Sequence, residues 1–339
     1  MITPHGDGGD GSGVEFRDAA TGASHASVEV PGKPVAGTWH GRPALVSESV
    51  KKTPSDGISP AKTAWVVDVF DEKGQRIAHK EYPGQDKPFI VDGRRIVTEH
   101  GRGSDAGALV ISDAGSDAPG WRIPCQDRVC MDESATVASG VIVHRRRDSK
   151  SVDLHRAETL AGFDPATGAT LWTPQNLARP AGAAATVDPE LVEQDGDKLV
   201  IAWYDYGATQ SHAIAYSVNN PVTGRLLSTG PTLSGTHKSG LSNPQGSVVV
   251  VATTNTTAAW ETDTGKLLWQ QAKDEVRLAP VTVVGPVLYS GENPSMAVDL
   301  RTKAVLQRTV SDMPLPVGTG HAVITRNPGV AYVFATRQN

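Results

Sequence analysis

Long apolar runs are missing from this chain. Between Met1 and Asn339 no segment reaches the stretch of about 20 apolar residues that a membrane-spanning helix requires, so the chain as given is expected to be soluble. A basic surplus is lacking too: 32 Lys and Arg against 37 Asp and Glu leave a formal net charge of -5 and a pI near 6.1. Nucleic-acid binders present a basic face, and no nucleic-acid partner is expected here. No GxSxG elbow, Walker loop or HExxH pair occurs, and the ten histidines are scattered. Catalytic, metal-ligating and cofactor-binding residues are therefore expected to be none. Aromatic residues make only 5% of the chain, while Gly (35) and Pro (23) are plentiful, a composition that suits many short strands joined by tight turns.

Cysteine is equally scarce, with Cys125 and Cys130 the only two. In a reducing cytosol they would stay separate thiols, whereas in an exported protein they would pair. The disulfide is the reading adopted, closing the QDRV loop and stabilising the fold by about 2 kcal/mol in the chain-entropy model. Their CxxxxC spacing is neither a redox nor a zinc motif. The first 13 residues, with HGDGGDGSG at their centre, read as a flexible linker, and a Met-initiated start on a linker is expected where a signal or membrane anchor has been removed.

What the chain does have is a recurring phrase. It reads FDPATGATLW from Phe163 to Trp172 and WETDTGKLLW from Trp260 to Trp269, with weaker copies at Phe16–Ser24, Val69–Ala78, Ile111–Gly115, Val218–Leu227 and Val298–Leu306. The two full copies each read as strand, Thr-Gly turn, strand. The spacing of about 40 to 54 residues is the period of a four-stranded blade. Before each copy except the N-terminal one stands a short Val-rich run bounded by Gly, Pro, Asn or Asp, the mark of a buried strand. These runs include Arg95–Thr98, Val141–His144, Lys198–Trp203 and Ser247–Thr253.

The order within a unit is then an inner strand A, a Val-rich strand B, and strands C and D around the turn. The C-terminus supplies A (His321–Asn327) and B (Val330–Thr336), and the N-terminus supplies C (Val14–Asp18) and D (Ala23–Val30). The expectation is an all-β fold: a seven-bladed β-propeller of four-stranded antiparallel blades, 14–339 as one domain, its ring closed by a blade shared between the two termini.

The phrase resembles the PQQ-like β-propeller repeat, also called the tryptophan-docking motif. Trp260, Asp263, Thr264, Gly265, Leu268 and Trp269 carry it best, followed by Phe163, Asp164, Thr167, Gly168, Leu171 and Trp172. Elsewhere it decays, with Ala78 and Leu306 at the place of the docking Trp. The resemblance brings quinoprotein dehydrogenases to mind, but the adjacent Cys pair that holds their quinone is absent, so no cofactor is implied. Non-enzymatic relatives include outer-membrane assembly lipoproteins and extracellular sensor domains of bacterial kinases. The high Ala, Gly and Arg usage looks like a GC-rich bacterium such as an actinomycete, where an outer-membrane role would not carry over.

Function is expected in what interrupts the repeat. B-to-C connections are long at Ser49–Thr63, Glu99–Gly107, Arg145–Glu158 and Tyr204–Ser211, and D-to-A connections at Cys125–Asp132 and Pro174–Pro189, all on one face. Recognition residues sit on loops held by a rigid scaffold. Arg145, Arg146, Arg147 and Lys150 form a basic cluster there, and Tyr204 and Tyr206 offer aromatic contacts. The reading is an extracellular or envelope-associated protein-binding scaffold or sensor module. Its partner would be another envelope protein, and membrane contact would come only through an anchor absent from the chain. The alternative is an enzyme acting on an envelope polymer or sugar in a central funnel. Asp195-Gly196-Asp197 reads as a type I′ hairpin rather than a calcium loop.

Overall fold

The computed structural model describes residues 2–5, 11–17, 24–40, 42–84, 89–91, 93–99, 108–116, 120–124, 134–138, 141–147, 158–164, 166–184, 187–204, 212–243, 247–291, 295–310, 315–316, 321–326 and 330–335. Among them there is no helix, and so none long and apolar enough to cross a membrane. The fold is all-β and antiparallel. β1 (Ile2–His5), β2 (Gly11–Arg17) and β3 (Ser24–Pro31) make a three-stranded sheet. Six four-stranded sheets follow in chain order. They are β4 (Lys33–Trp39), β5 (Arg42–Thr53), β6 (Lys62–Phe70) and β7 (Arg76–Pro83); β8 (Phe89–Val91), β9 (Arg94–Glu99), β10 (Ala108–Asp113) and β11 (Trp121–Pro124); and β12 (Ser134–Ala138), β13 (Val141–Arg147), β14 (Glu158–Phe163) and β15 (Thr170–Trp172). The remaining three are β16 (Asp188–Asp195), β17 (Lys198–Tyr204), β18 (His212–Asn219) and β19 (Leu226–Gly235); β20 (His237–Asn243), β21 (Val248–Thr253), β22 (Thr257–Glu261) and β23 (Leu267–Gln270); and β24 (Pro280–Val284), β25 (Val287–Ser290), β26 (Met296–Asp299) and β27 (Val305–Gln307). A last three-stranded sheet holds β28 (Leu315–Pro316), β29 (His321–Arg326) and β30 (Val330–Ala335).

The strands gather into two compact units, Met1–Cys130 with Val323–Ala335, and Met131–Ala322 with Thr336–Asn339. Within the second, the Val-rich strands are buried on both faces, as a strand sandwiched between neighbouring sheets must be. Every residue of β21, VVVVAT, is buried, and in β17 only Lys198 is partly exposed. Trp172, Leu199, Ile201 and Trp203 share one apolar cluster, while Val200, Tyr216, Val249, Val251 and Trp260 share the next. Successive residues of β17 thus feed alternate clusters, which is the period of two that a strand imposes. In the first unit, Trp39, Val67, Val69 and Tyr82 form one cluster and Val14, Phe16, Val30, Leu45 and Phe70 another.

Seven copies of the phrase correspond to seven strand-turn-strand pairs, yet the described residues form eight sheets. The strand pairs β2–β3 and β29–β30, expected to complete one shared blade, lie in separate sheets. Each has a third strand: Ile2–His5, assigned to the linker, pairs with Gly13–Phe16, and Leu315–Pro316 joins β29. Part of the connection expected over Ser49–Thr63 is strand as well. β5 continues to Thr53, which pairs with Lys62, and residues 54–61 alone make the turn. Here the chain is polar on both faces because both are exposed, so hydrophobic alternation carried no signal. The Asp56 carboxylate orders the turn, accepting from the backbone N–H of Ile58 at 2.9 Å and of Ser59 at 2.6 Å.

The DGD segment is a two-residue hairpin, with Asp195 paired to Lys198. Only Gly196 has positive φ, 62°, while Asp197 does not, so the turn has the glycine-first II′ pattern rather than I′.

Candidate functional site

In the four sheets of the second unit from β12 to β27, the repeat turn fixes one end. In the β14–β15 turn the Asp164 carboxylate accepts from the backbone N–H of Ala166 (2.7 Å) and Thr167 (3.0 Å), and Gly168 takes φ 72°. Asn220 does the same for Val222 and Thr223 ahead of Gly224, and Asp299 for Arg301 and Thr302 ahead of Lys303. In the copy that matches best, Glu261 holds this place, with its carboxylate accepting from the Thr264 hydroxyl at 3.0 Å. Asp263, which the motif seemed to offer for that role, points to the neighbouring sheet and pairs with Lys198 at 2.6 Å.

Where the described residues show it, a sheet docks on the turn of the next. Trp172 Nε1 donates to the Pro221 carbonyl at 2.6 Å, and Trp269 Nε1 to the Leu300 carbonyl at 2.8 Å. Both acceptors stand three residues before the positive-φ position of their turn. In the intervening sheet, Ser228 occupies the docking place: it pairs with Val218 as Trp172 does with Gly162, and its hydroxyl donates to the carbonyl of Thr262, the equivalent acceptor. At this contact a Cβ on Gly265 would lie 2.0 Å from the Thr229 carbonyl oxygen. In the first unit, Ala78 has no donor and Tyr82 takes over, its hydroxyl donating to the Ala114 carbonyl at 2.6 Å. The register assigns Gln307, not Leu306, to the docking place of β27, since Gln307 pairs with Ala297 as Trp269 pairs with Ala259.

Because Trp172 follows its own turn and bonds to the next, the turns of consecutive sheets share one end, and the other end carries the B-to-C connections. Arg145, Arg146 and Arg147 are the last three residues of β13, paired with Leu160, Thr159 and Glu158. Tyr204 is the last of β17, the corresponding strand of the next sheet. The structure therefore sets the Arg run and Tyr204 at the same end of neighbouring sheets. Lys150, Tyr206, Cys125 and Cys130 lie outside the described residues.

Tyr204 is not displayed as a free aromatic contact. It is 7% exposed, packed with Val200, Ala202, Ile214 and Tyr216, and its hydroxyl donates to Glu190. Beside it, Tyr216 Oη lies 3.2 Å from His237 Nδ1, and burial, helped by the Glu190 charge, pushes the phenol well above its ordinary range, so it stays protonated. Trp203 donates to Ser217 (2.7 Å), Ser217 to Asn219 (2.6 Å), and Asn219 to the carbonyls of Ala178 (2.8 Å) and Gly224 (3.0 Å). This buried chain of hydrogen bonds straps the 173–184 connection to the sheet, and the Arg179 guanidinium lies 5.3 Å from the centre of the Trp203 ring. Sequence reasoning missed Glu190, His237 and Arg179. Their only signal was polar residues at strand ends flanking buried aromatics.

The arrangement is a rigid end carrying titratable pairs already engaged with one another. Among the described residues, no group of three or more His, Cys, Asp or Glu side chains could hold a metal ion.

Residues 62–209 and 211–307 match the PQQ-like family model described as outer membrane protein assembly factor BamB. Comparison with curated proteins finds no match. Among solved structures, BamB from Moraxella catarrhalis is 17% identical, with 100% of this chain and 94% of that chain covered and a TM-score of 0.49. The Dos1 propeller is 12% identical, with 99% and 95% covered and a TM-score of 0.48.

Proposed function

The chain belongs to the PQQ-like repeat family described as outer membrane protein assembly factor BamB, and from that premise we propose that it is a non-enzymatic protein-binding scaffold or sensor module of the cell envelope. Its partner is another envelope protein, met at the end of the sheets where β13 and β17 finish. The observation that carries this reading is the placement of Arg145–Arg147 at the end of β13, the end at which β17 of the next sheet also finishes, over a base held by the Trp203–Ser217–Asn219 chain. A run of three cations at the mouth of a rigid sheet suits an acidic protein surface, where complementary charge sets the association rate and its salt dependence.

The test is capture from native envelopes with the intact chain, compared with an Arg145→Gln/Arg146→Gln/Arg147→Gln variant whose far-ultraviolet spectrum and melting are first shown to match. A partner held by the parent chain, released by salt and lost from the variant supports the reading. Equal capture by both removes the Arg run from it. Release of reducing ends from envelope polysaccharide by the purified chain would instead establish the enzymatic alternative.

A further inference from the structure

Away from the strand ends discussed above, the second unit holds a pocket of about 470 Å³. Leu278, Met296 and Val298 make its buried floor, and the half-exposed Val276 and Val305 stand on its rim. This size and lining are those of a small-molecule site, mostly apolar with a few placed polar groups. The walls are fixed in advance. Gln271 uses both ends of its side chain on the loop over the floor, accepting from the Leu278 N–H at 3.1 Å and donating to the Val276 carbonyl. Lys303 grips both Glu275 oxygens, at 2.6 and 2.7 Å, and so ties that loop to the β26–β27 turn.

Charge then decides the class of ligand. The lining carries two cations, Lys303 and Arg308, and one anion, Glu275. Glu275 is taken up by Lys303, which leaves Arg308 at the mouth with no ion-pair partner among the described residues. An apolar cavity with one guanidinium that pairs with no carboxylate among the described residues fits an apolar molecule bearing one anionic head, and the planar fork of Arg favours a carboxylate. We propose that this pocket binds a small amphiphilic carboxylate of the medium-chain fatty-acid class, with its chain over Met296 and Val298 and its head on Arg308.

Calorimetric titration of the full chain with decanoate tests the proposal, with decanamide as the uncharged match and Arg308→Gln and Val305→Trp as variants. Both substitutions sit at exposed positions, and an unchanged melting midpoint confirms that each variant is folded. Saturable one-to-one binding of decanoate is expected, weakened about tenfold by Arg308→Gln and abolished by Val305→Trp, which fills the mouth. Decanamide should bind at the weakened level, indifferent to Arg308→Gln. Absence of saturable binding, or binding untouched by Val305→Trp, overturns the site. Binding that Arg308→Gln leaves unchanged overturns the anionic ligand. The pocket uses none of Arg145–Arg147, so the triple Gln variant should bind decanoate as the parent does, and the partner reading can fail without this one.

Discussion

The docking indoles are single side chains with two measurable contributions, one from packing and one from the N–H. Trp269→Phe keeps most of the apolar contact but leaves the Leu300 carbonyl without its donor, which should cost about 1–3 kcal/mol. Trp269→Ala should cost about 3–5 kcal/mol. Chemical denaturation of the pair separates the two, and a Phe variant as stable as the parent would mean that the hydrogen bond contributes nothing. Gly265→Ala meets two obstacles together: a φ of 72°, worth about 1–3 kcal/mol of strain, and the Thr229 carbonyl standing where the new Cβ must go. It should be among the most damaging single changes in the second unit.

Asp195 supplies a pH test. It is 2% exposed, its Oδ2 accepts from Thr262 at 2.5 Å, and its Oδ1 is buried without a partner, so desolvation raises its pKa above the ordinary 3.8. A carboxyl with a raised folded pKa holds its proton more firmly folded than unfolded. Its stabilising contribution is complete below the unfolded pKa and is lost as pH rises through the folded one. Glu193 is raised by the same cause, so some of the slope will remain without Asp195. Urea midpoints from pH 4 upward should fall less steeply in Asp195→Asn than in the parent, and parallel slopes would refute the assignment. The motif letters that drew attention to Asp263 were right about the turn and mistaken about the residue, because spacing alone does not tell Glu261 from Asp263 as the group that faces the turn backbone.

At the level of strands, legibility followed burial. The Val-rich runs are β9, β13, β17 and β21 within one to three residues, since strands sandwiched between neighbours must be apolar on both faces. The exposed far half of the β5–β6 hairpin was illegible, and so was β1, which lies in the segment read as linker. Tyr204 was misread for a related reason. An aromatic residue at a strand end looks the same in sequence whether its ring turns inward, as here, or outward. Tyr82 carries the docking bond that Ala78 cannot. Tyr82→Phe should therefore destabilise the first unit by about 1–3 kcal/mol, measured by denaturant midpoint, while Ala78→Gly should act only through backbone freedom, a smaller effect.

For the whole molecule, the edges matter most. β1 covers one side of β2 through the pairs Ile2–Phe16 to His5–Gly13. Deleting residues 1–10 should raise hydrogen exchange along Gly11–Arg17 and leave β20–β23 unchanged, because Val14, Phe16 and Val30 pack within the first unit. Unaltered exchange in β2 would mean that the N-terminal strand contributes no protection. Fold class and repeat were legible because they recur seven times, so that errors in one copy are corrected by the others. The site was less so, because loops and strand ends occur once each and have no second copy to check against.

The docking bonds have a direction: a side chain donates and a backbone carbonyl receives. Every amino acid brings that carbonyl, so the receiving sheet can change its sequence freely at the point of contact. Only the donor is held to a short menu, and Trp172, Ser228, Trp269 and Tyr82 show that even the menu spans three chemistries. A duplicated sheet could thus drift away from its parent copy without losing its hold on the next one. Two of the seven copies remain readable as kin while the rest have worn down to a few turn and strand residues, and such uneven wear is what a joint with sequence constraint on only one side would leave behind.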